Sequence, residues 1–217
     1  WSAYAARRVI AISRATAHDL VRFYGVDRRK IDVIYEATVP STLGARSPDA
    51  GAAQPQPLPK PLPRPYALFV GTIQPRKNLV RLAQAYARLL AAHGVQWDLA
   101  LAGGDGWLSQ DVIEQIDALS LGDRIHRLGY VNEGALEPLL AGARFFCYVS
   151  LYEGFGLPVL EAQARGVPVM AANNSSLPEV AGDAALLVDP LDVDAIADAM
   201  LRLSSDAVLE RAVYPVA

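Results

Sequence analysis

Two short stretches carry side chains that could do chemistry together. In Gly71-Thr72-Ile73-Gln74-Pro75-Arg76-Lys77-Asn78 two adjacent cations follow a glycine-led turn. Gly71 permits close backbone approach, and Arg76 with Lys77 places positive charge at the entrance of a helical pattern whose free N–H groups already favour anions. A phosphate or diphosphate is the natural occupant. The bland alternative is a pair of solvated surface cations with Asn78 capping the helix. The order of glycines and hydroxyls is not that of a P-loop.

The second stretch is Ser150-Leu151-Tyr152-Glu153-Gly154-Phe155-Gly156-Leu157-Pro158-Val159-Leu160-Glu161-Ala162. Gly154 and Gly156 can expose backbone N–H groups, Pro158 suits a first helical turn, and the helix dipole points at whatever occupies the turn. Glu153 precedes that helix and Glu161 lies about one turn inside it, so both can face one crevice. A carboxylate that accepts from two vicinal hydroxyls recognises a ribose or a hexose. Taken singly, Glu161 also reads as a dipole-compensating first-turn acid and Glu153 as an exposed loop residue. Their combination with the upstream cationic loop is not generic.

The elements that must position these loops alternate along the chain. Apolar strand-like runs are predicted at Tyr66 to Val70, Trp97 to Ala102, Arg124 to Leu128, Phe145 to Ser150, Pro168 to Ala171 and Ala185 to Val188. Helical patterns fall at Leu79 to Ala92, Ser109 to Leu119, Glu133 to Ala141, Leu157 to Arg165, Leu177 to Ala181 and Asp192 to Leu203. Continuously apolar strands alternating with helices predict an α/β fold, a Rossmann-like, doubly wound parallel sheet covered on both faces. Ligands then bind at the carboxyl ends of the strands. The loop Ala102-Gly103-Gly104-Asp105-Gly106-Trp107 is one such place, where Gly104 could border a base or ribose or belong to a plain glycine turn.

Three regions are expected. Residues 1–38 hold a strand at Val9 to Ile12, a helix capped by Ser13 and running to Tyr24 before Gly25, and a second apolar run from Ile31 to Tyr35, too small to bury its own faces. Residues 39–65 form a linker whose alternating prolines favour extended polyproline geometry. Residues 66–217 form the ligand-binding domain. The opening Trp1-Ser2-Ala3-Tyr4 reads like the middle of a protein, so residues 1–38 are taken as the remnant of a larger N-terminal domain.

The bulk numbers narrow the partners. With 20 Lys and Arg against 23 Asp and Glu and no block of like charge, nucleic acid is not expected. The single Cys147 sits in an apolar run as a core residue, which suits a reducing cytoplasm, and no apolar stretch approaches the roughly 18–20 residues of a membrane span. The three histidines lack metal-ligand spacing, Asp192-Val193-Asp194 reads as a helix cap, and Ser176 with Glu179 reads as a capping box. No metal and no cofactor are expected.

The run from Glu153 to Ala162 resembles the signature of glycosyltransferase family 4 (group 1), a glutamate pair in the form E-G-F-G-L-P-x-L-E-A. The loop from Gly71 to Leu79 and the segment from Ser176 to Gly182 resemble that family in the same order. The resemblance implies the GT-B fold, with two Rossmann-like domains facing across a cleft and the nucleotide-sugar donor held mainly by the C-terminal one. It implies that Arg76 and Lys77 clamp the diphosphate and act as electrostatic catalysts, that Glu153 lies near the donor sugar, and that Glu161 binds the nucleotide ribose. Gly71, Thr72, Gly154, Phe155, Gly156 and Leu157 would touch phosphate or sugar, and Tyr130 with Val131, after the next strand, would wall the base. Many relatives carry arginine where this chain has Thr72, which leaves open how Arg76 and Lys77 divide the work.

The expected activity is retaining hexosyl transfer from a nucleotide-diphosphate sugar to a saccharide or lipid-linked acceptor in surface polysaccharide synthesis. GDP-mannose is favoured as donor, and the expected place is the cytoplasm, at the inner face of the membrane. The acceptor would bind through the N-terminal domain, so residues 1–217 alone would bind donor without efficient transfer. The rivals are a GT-B epimerase, which lacks an acid/base histidine in these loops, a phosphorylase, which lacks a recognisable cofactor lysine, and a non-enzymatic α/β binding module.

Overall fold

The computed structural model describes residues 2–38 and 62–205, so nearly all of the proline-rich linker predicted at 39–65 lies outside the described residues. In the first segment α1 (Ser2–Ala5) precedes β1 (Val9–Ala11), α2 (Arg14–Tyr24) and β2 (Ile31–Val33). The short helix α1 was not foreseen. The other three elements follow the expected signals. The Ser13 side chain accepts from Thr16 N to start α2, and Gly25 in the left-handed region ends it. β1 and β2 pair in parallel above a small cluster of Ala11, Ala17, Val26 and Ile31.

The larger unit alternates without a break. Its elements run β3 (Tyr66–Val70), α3 (Leu79–His93), β4 (Asp98–Ala102), α4 (Ser109–Asp117), β5 (Ile125–Gly129), α5 (Glu133–Ala141), β6 (Phe145–Tyr148), α6 (Leu157–Gln163), β7 (Val169–Ala172), α7 (Leu177–Ala181), β8 (Ala185–Val188) and α8 (Val193–Leu203). All ladders of its six-stranded sheet are parallel, in the order β5-β4-β3-β6-β7-β8. Every residue of β4, β6 and β7 is buried, which explains why those strands are apolar throughout and not at every second residue. In α3 the buried positions Leu79, Leu82, Ala83, Tyr86 and Leu89 repeat at helical spacing and form the face turned to the core. Among the described residues, no helix is long and apolar enough to cross a membrane.

The strand order places the site. From β3 the chain builds outward through β4 and β5, then returns to the other side of β3 for β6. The loops leaving β3 and β6 therefore lie at the topological switch point, which is where ligands bind in open α/β sheets. On the β4 side the backbones come into close contact. Gly71 N donates to Ala102 O at 2.9 Å and Gly103 N to Gly129 O at 2.7 Å. A Cβ on Gly103 would collide with the Gly71 carbonyl, and Gly103 has φ +154°, so glycine there serves packing between loops.

At the opposite end of the sheet, the carboxylate of Asp98 is fully buried at the start of β4. It accepts from Arg64 at 3.2 Å and Arg124 at 2.8 Å, and lies 2.7 Å from Nε2 of His126. These contacts stitch together the beginnings of β3, β4 and β5.

The capping box expected at Ser176 and Glu179 does not form. Ser176 already has helical backbone angles, φ −82° and ψ −14°, whereas an N-cap needs an extended conformation to aim its oxygen back at the helix. Its Oγ donates instead to the carbonyls of Glu153 at 2.9 Å and Phe155 at 2.5 Å. Glu179 caps a different helix, accepting from Arg14 N and Ala15 N of α2 at 3.0 Å each. The first segment is thereby tied to the larger unit beside the switch point.

Candidate active site

The cationic loop does not run straight into a helix. Pro75–Lys77 form a 3-10 turn, and Asn78 adopts the left-handed region (φ 61°) before α3 begins. Asn78 does not cap α3 with its side chain. Its Nδ2 donates to Val149 O at 3.0 Å and Pro190 O at 2.7 Å, locking this loop to the one that leaves β6. Turned by Asn78, Arg76 and Lys77 reach across the switch point.

There they meet Glu153. Lys77 Nζ lies 2.6 Å from Oε1 of Glu153 and Arg76 Nη1 2.8 Å from Oε2. Lys77 is 6% exposed and Glu153 7%, which excludes the readings of a solvated cation pair and an exposed loop acid. Lys77 Nζ also donates to the hydroxyl of Tyr148 at 2.8 Å, and Arg76 donates to the carbonyl of Tyr152. Two cations against one carboxylate leave an excess positive charge in partly desolvated surroundings, where electrostatic attraction is stronger than in water.

Burial lowers the Lys77 ammonium from its ordinary value, opposed by the bond to Glu153. For Glu153 burial pushes upward, but the hydrogen bond and charge of Lys77, with Arg76, outweigh it and hold the carboxyl below its ordinary value. A carboxyl held low contributes stability that is present above the unfolded value and lost as pH falls through the folded one. Thermal unfolding from pH 7 to pH 3 should therefore show stability lost below about pH 4.5, and Glu153→Gln should remove part of that acid dependence. An unchanged acid limb in Glu153→Gln would mean that the bridge contributes nothing to it.

The turn after Glu153 is held from three sides. Glu153 N donates to Ser175 Oγ at 3.1 Å, Ser176 grips two carbonyls of the turn, and Thr16 Oγ1 of α2 donates to Gly154 O at 3.1 Å. Gly156 has φ +128°, and a Cβ there would come within 2.8 Å of Leu177. Phe155 is buried and its ring lies 6.1 Å from that of Tyr35. Leu157 opens α6, and Glu161 lies just beyond its first turn, half-buried and with no side-chain hydrogen bond or ion pair among the described residues. It is not a first-turn acid. Its charge reaches Tyr148 and it is available to a ligand.

The remaining predicted residues lie on the β4 and β5 side. Gly71 lies against Phe69 and Lys77, Thr72 is exposed, and Gly104 faces Tyr130. Tyr130 is 81% exposed, whereas Val131 packs partly on the core. Tyr148, Ser175, Ser176 and Thr16 were missed as parts of the site. Tyr148 read as one more aromatic in an apolar strand, and only its place at the strand's carboxyl end, the position where sites form, could have singled it out.

Residues 52–214 match the family described as glycosyl transferases group 1. Over 144 residues the chain is 49% identical to the O-antigen chain mannosyltransferase B of Escherichia coli, covering 65% of this chain and 37% of that protein. It is 36% identical over 132 residues to the MMP alpha-(1->4)-mannosyltransferase of Mycolicibacterium hassiacum, covering 59% of this chain and 31% of that protein. The chain thus spans about a third of the length of these relatives. The solved structure of a sucrose-phosphate synthase from Thermosynechococcus elongatus superposes with a TM-score of 0.74 at 26% identity, covering 96% of this chain and 52% of that one. The parallel sheet with its helices is the Rossmann-like architecture of GT-B glycosyltransferases. A chain with this sheet and this match along most of its length belongs to the group 1 glycosyl transferases.

Proposed function

We propose that the protein takes part in retaining mannosyl transfer from a nucleoside diphosphate sugar, GDP-mannose in the favoured reading, to a saccharide or lipid-linked acceptor in surface polysaccharide synthesis. The observation that carries this is the cluster of buried Lys77 and Glu153 with the part-exposed Arg76 at the switch point, and the unpaired Glu161 on the next helix. The mannosyltransferase relatives support the choice of sugar and the polysaccharide context.

As the bond from sugar to diphosphate breaks, negative charge grows on the leaving phosphate. Lys77 and Arg76 are fixed cations that neutralise it, and no metal is required for that role. The backbone N–H groups around Phe155, Gly156 and Leu157 would add to this stabilisation. When the donor enters, Glu153 turns its carboxylate toward the sugar hydroxyls, and Glu161 takes the vicinal hydroxyls of the ribose. Tyr130 and Val131 would wall the base. The acceptor comes from the side of the first segment, and a nucleotide-sugar donor places the reaction in the cytoplasm, at the inner membrane face.

The test is calorimetric titration of residues 1–217 with GDP, UDP, ADP and dTDP, repeated with Glu161→Ala. Selective binding of one nucleotide is expected, weakened about tenfold or more in the variant, because a bidentate hydrogen bond to a charged group is lost. A folded protein that binds none of the four would overturn the reading.

A further inference from the structure

Lys77 carries three N–H bonds on a flexible stem, and the proposed mechanism asks Glu153, one of its two acceptors, to turn toward the donor sugar. Something else must then keep the ammonium in place. The other acceptor, the Tyr148 hydroxyl, is 2.8 Å from Nζ, and its ring centroid is 4.9 Å away. Tyr148 is 2% exposed at the end of β6. Its ring stacks near those of Phe69, with centroids 6.0 Å apart and planes at 16°, and Phe146, at 5.8 Å and 18°. A phenol wedged between two rings on paired central strands cannot follow a moving ligand, so its oxygen is a fixed point.

We propose that Tyr148 is the positioning residue of the donor site, a rigid acceptor that holds the Lys77 ammonium with its third N–H turned to the diphosphate while Glu153 is engaged by the sugar. This rests on the proposed donor-binding function and adds to it. A lysine held only by Glu153 would lose its anchor on binding, and ordering its long side chain again would cost rotamer entropy. Anchored by Tyr148, it is already in place. Groups of this kind act by preorganisation and need not touch the reacting atoms.

The variant Tyr148→Phe keeps the ring between its neighbours and removes only the oxygen. The probes are the nucleoside diphosphate that binds most tightly among GDP, UDP, ADP and dTDP, and its monophosphate. In Tyr148→Phe the diphosphate should bind about tenfold more weakly and the monophosphate as before, so the preference for the second phosphate narrows. In a Lys77→Met background the same change should have no further effect, because no ammonium remains to be positioned. If wild type prefers the diphosphate and Tyr148→Phe keeps the full preference, this inference fails while donor binding stands. An equal loss in the Lys77→Met background would also overturn it, marking a general structural defect. If wild type binds no nucleotide, the donor-site reading itself fails and takes this inference with it.

Discussion

Lys77→Met is expected to weaken binding of a nucleoside diphosphate by roughly 10- to 150-fold, the worth of a charge-assisted hydrogen bond of about 1.5–3 kcal/mol. The effect should exceed that of Arg76→Met. The Arg76 side chain is 39% exposed whereas that of Lys77 is 8% exposed, so solvent screens the arginine and leaves the lysine as the stronger charge. In a transfer assay the same substitution should lower the rate by about 10²–10³-fold, the usual cost of one fixed group that stabilises the developing charge. Stability should suffer less than for a fully orphaned buried charge, because Arg76 still pairs with Glu153 at 2.8 Å. Calorimetry with both variants decides the matter, and an Arg76→Met loss larger than that of Lys77→Met would reverse the assigned roles.

Asp98→Asn should produce the largest change in stability, about 3–5 kcal/mol, since it removes the buried carboxylate from Arg64, Arg124 and His126, which share no other fully buried anion among the described residues. For a chain of this size that is roughly 6–20 °C in Tm. Burial pushes the Asp98 carboxyl up, but the hydrogen bonds from His126, Arg124 and Arg64 outweigh it and hold the carboxyl below its ordinary value. The stability it contributes is present above that ordinary value and lost in acid, so the wild-type advantage over Asp98→Asn should shrink below about pH 4. Asp98 starts β4, whereas the candidate site gathers where the strands end. Nucleotide affinity measured well below the lowered Tm should therefore be unchanged. A parallel loss of affinity would show that the two ends of the sheet are coupled.

Much of the fold was legible. The runs at Tyr66 to Val70 and Ala185 to Val188 and the helices at Glu133 to Ala141 and Leu177 to Ala181 occur with the bounds expected for them. Elsewhere the strands and helices shifted by a residue or two at their ends, as in α4, whose last residue is Asp117 where Leu119 was expected. Local signals carried this, because Ser13 and Asp192 cap as expected and Gly25 and Gly94 end their helices. Cys147 is a core residue, as its neighbours suggested. The capping box at Ser176 and Glu179 failed for the converse reason: its pattern is local, but both side chains find better partners elsewhere in the chain.

By itself the sequence determined the order and type of the elements and the two loops that carry Arg76, Lys77, Glu153 and Glu161. Periodicity, turn residues and a motif are properties of neighbouring positions, and a neighbour's influence is settled before the chain collapses. Only the tertiary structure decided that Lys77 is buried between Tyr148 and Glu153, that Asn78 ties two loops together instead of capping a helix, and that Asp98 gathers Arg64, Arg124 and His126. Those partners lie far apart in the chain. Their meeting depends on the order in which the strands lie in the sheet, and no local pattern encodes which strand returns to lie beside β3.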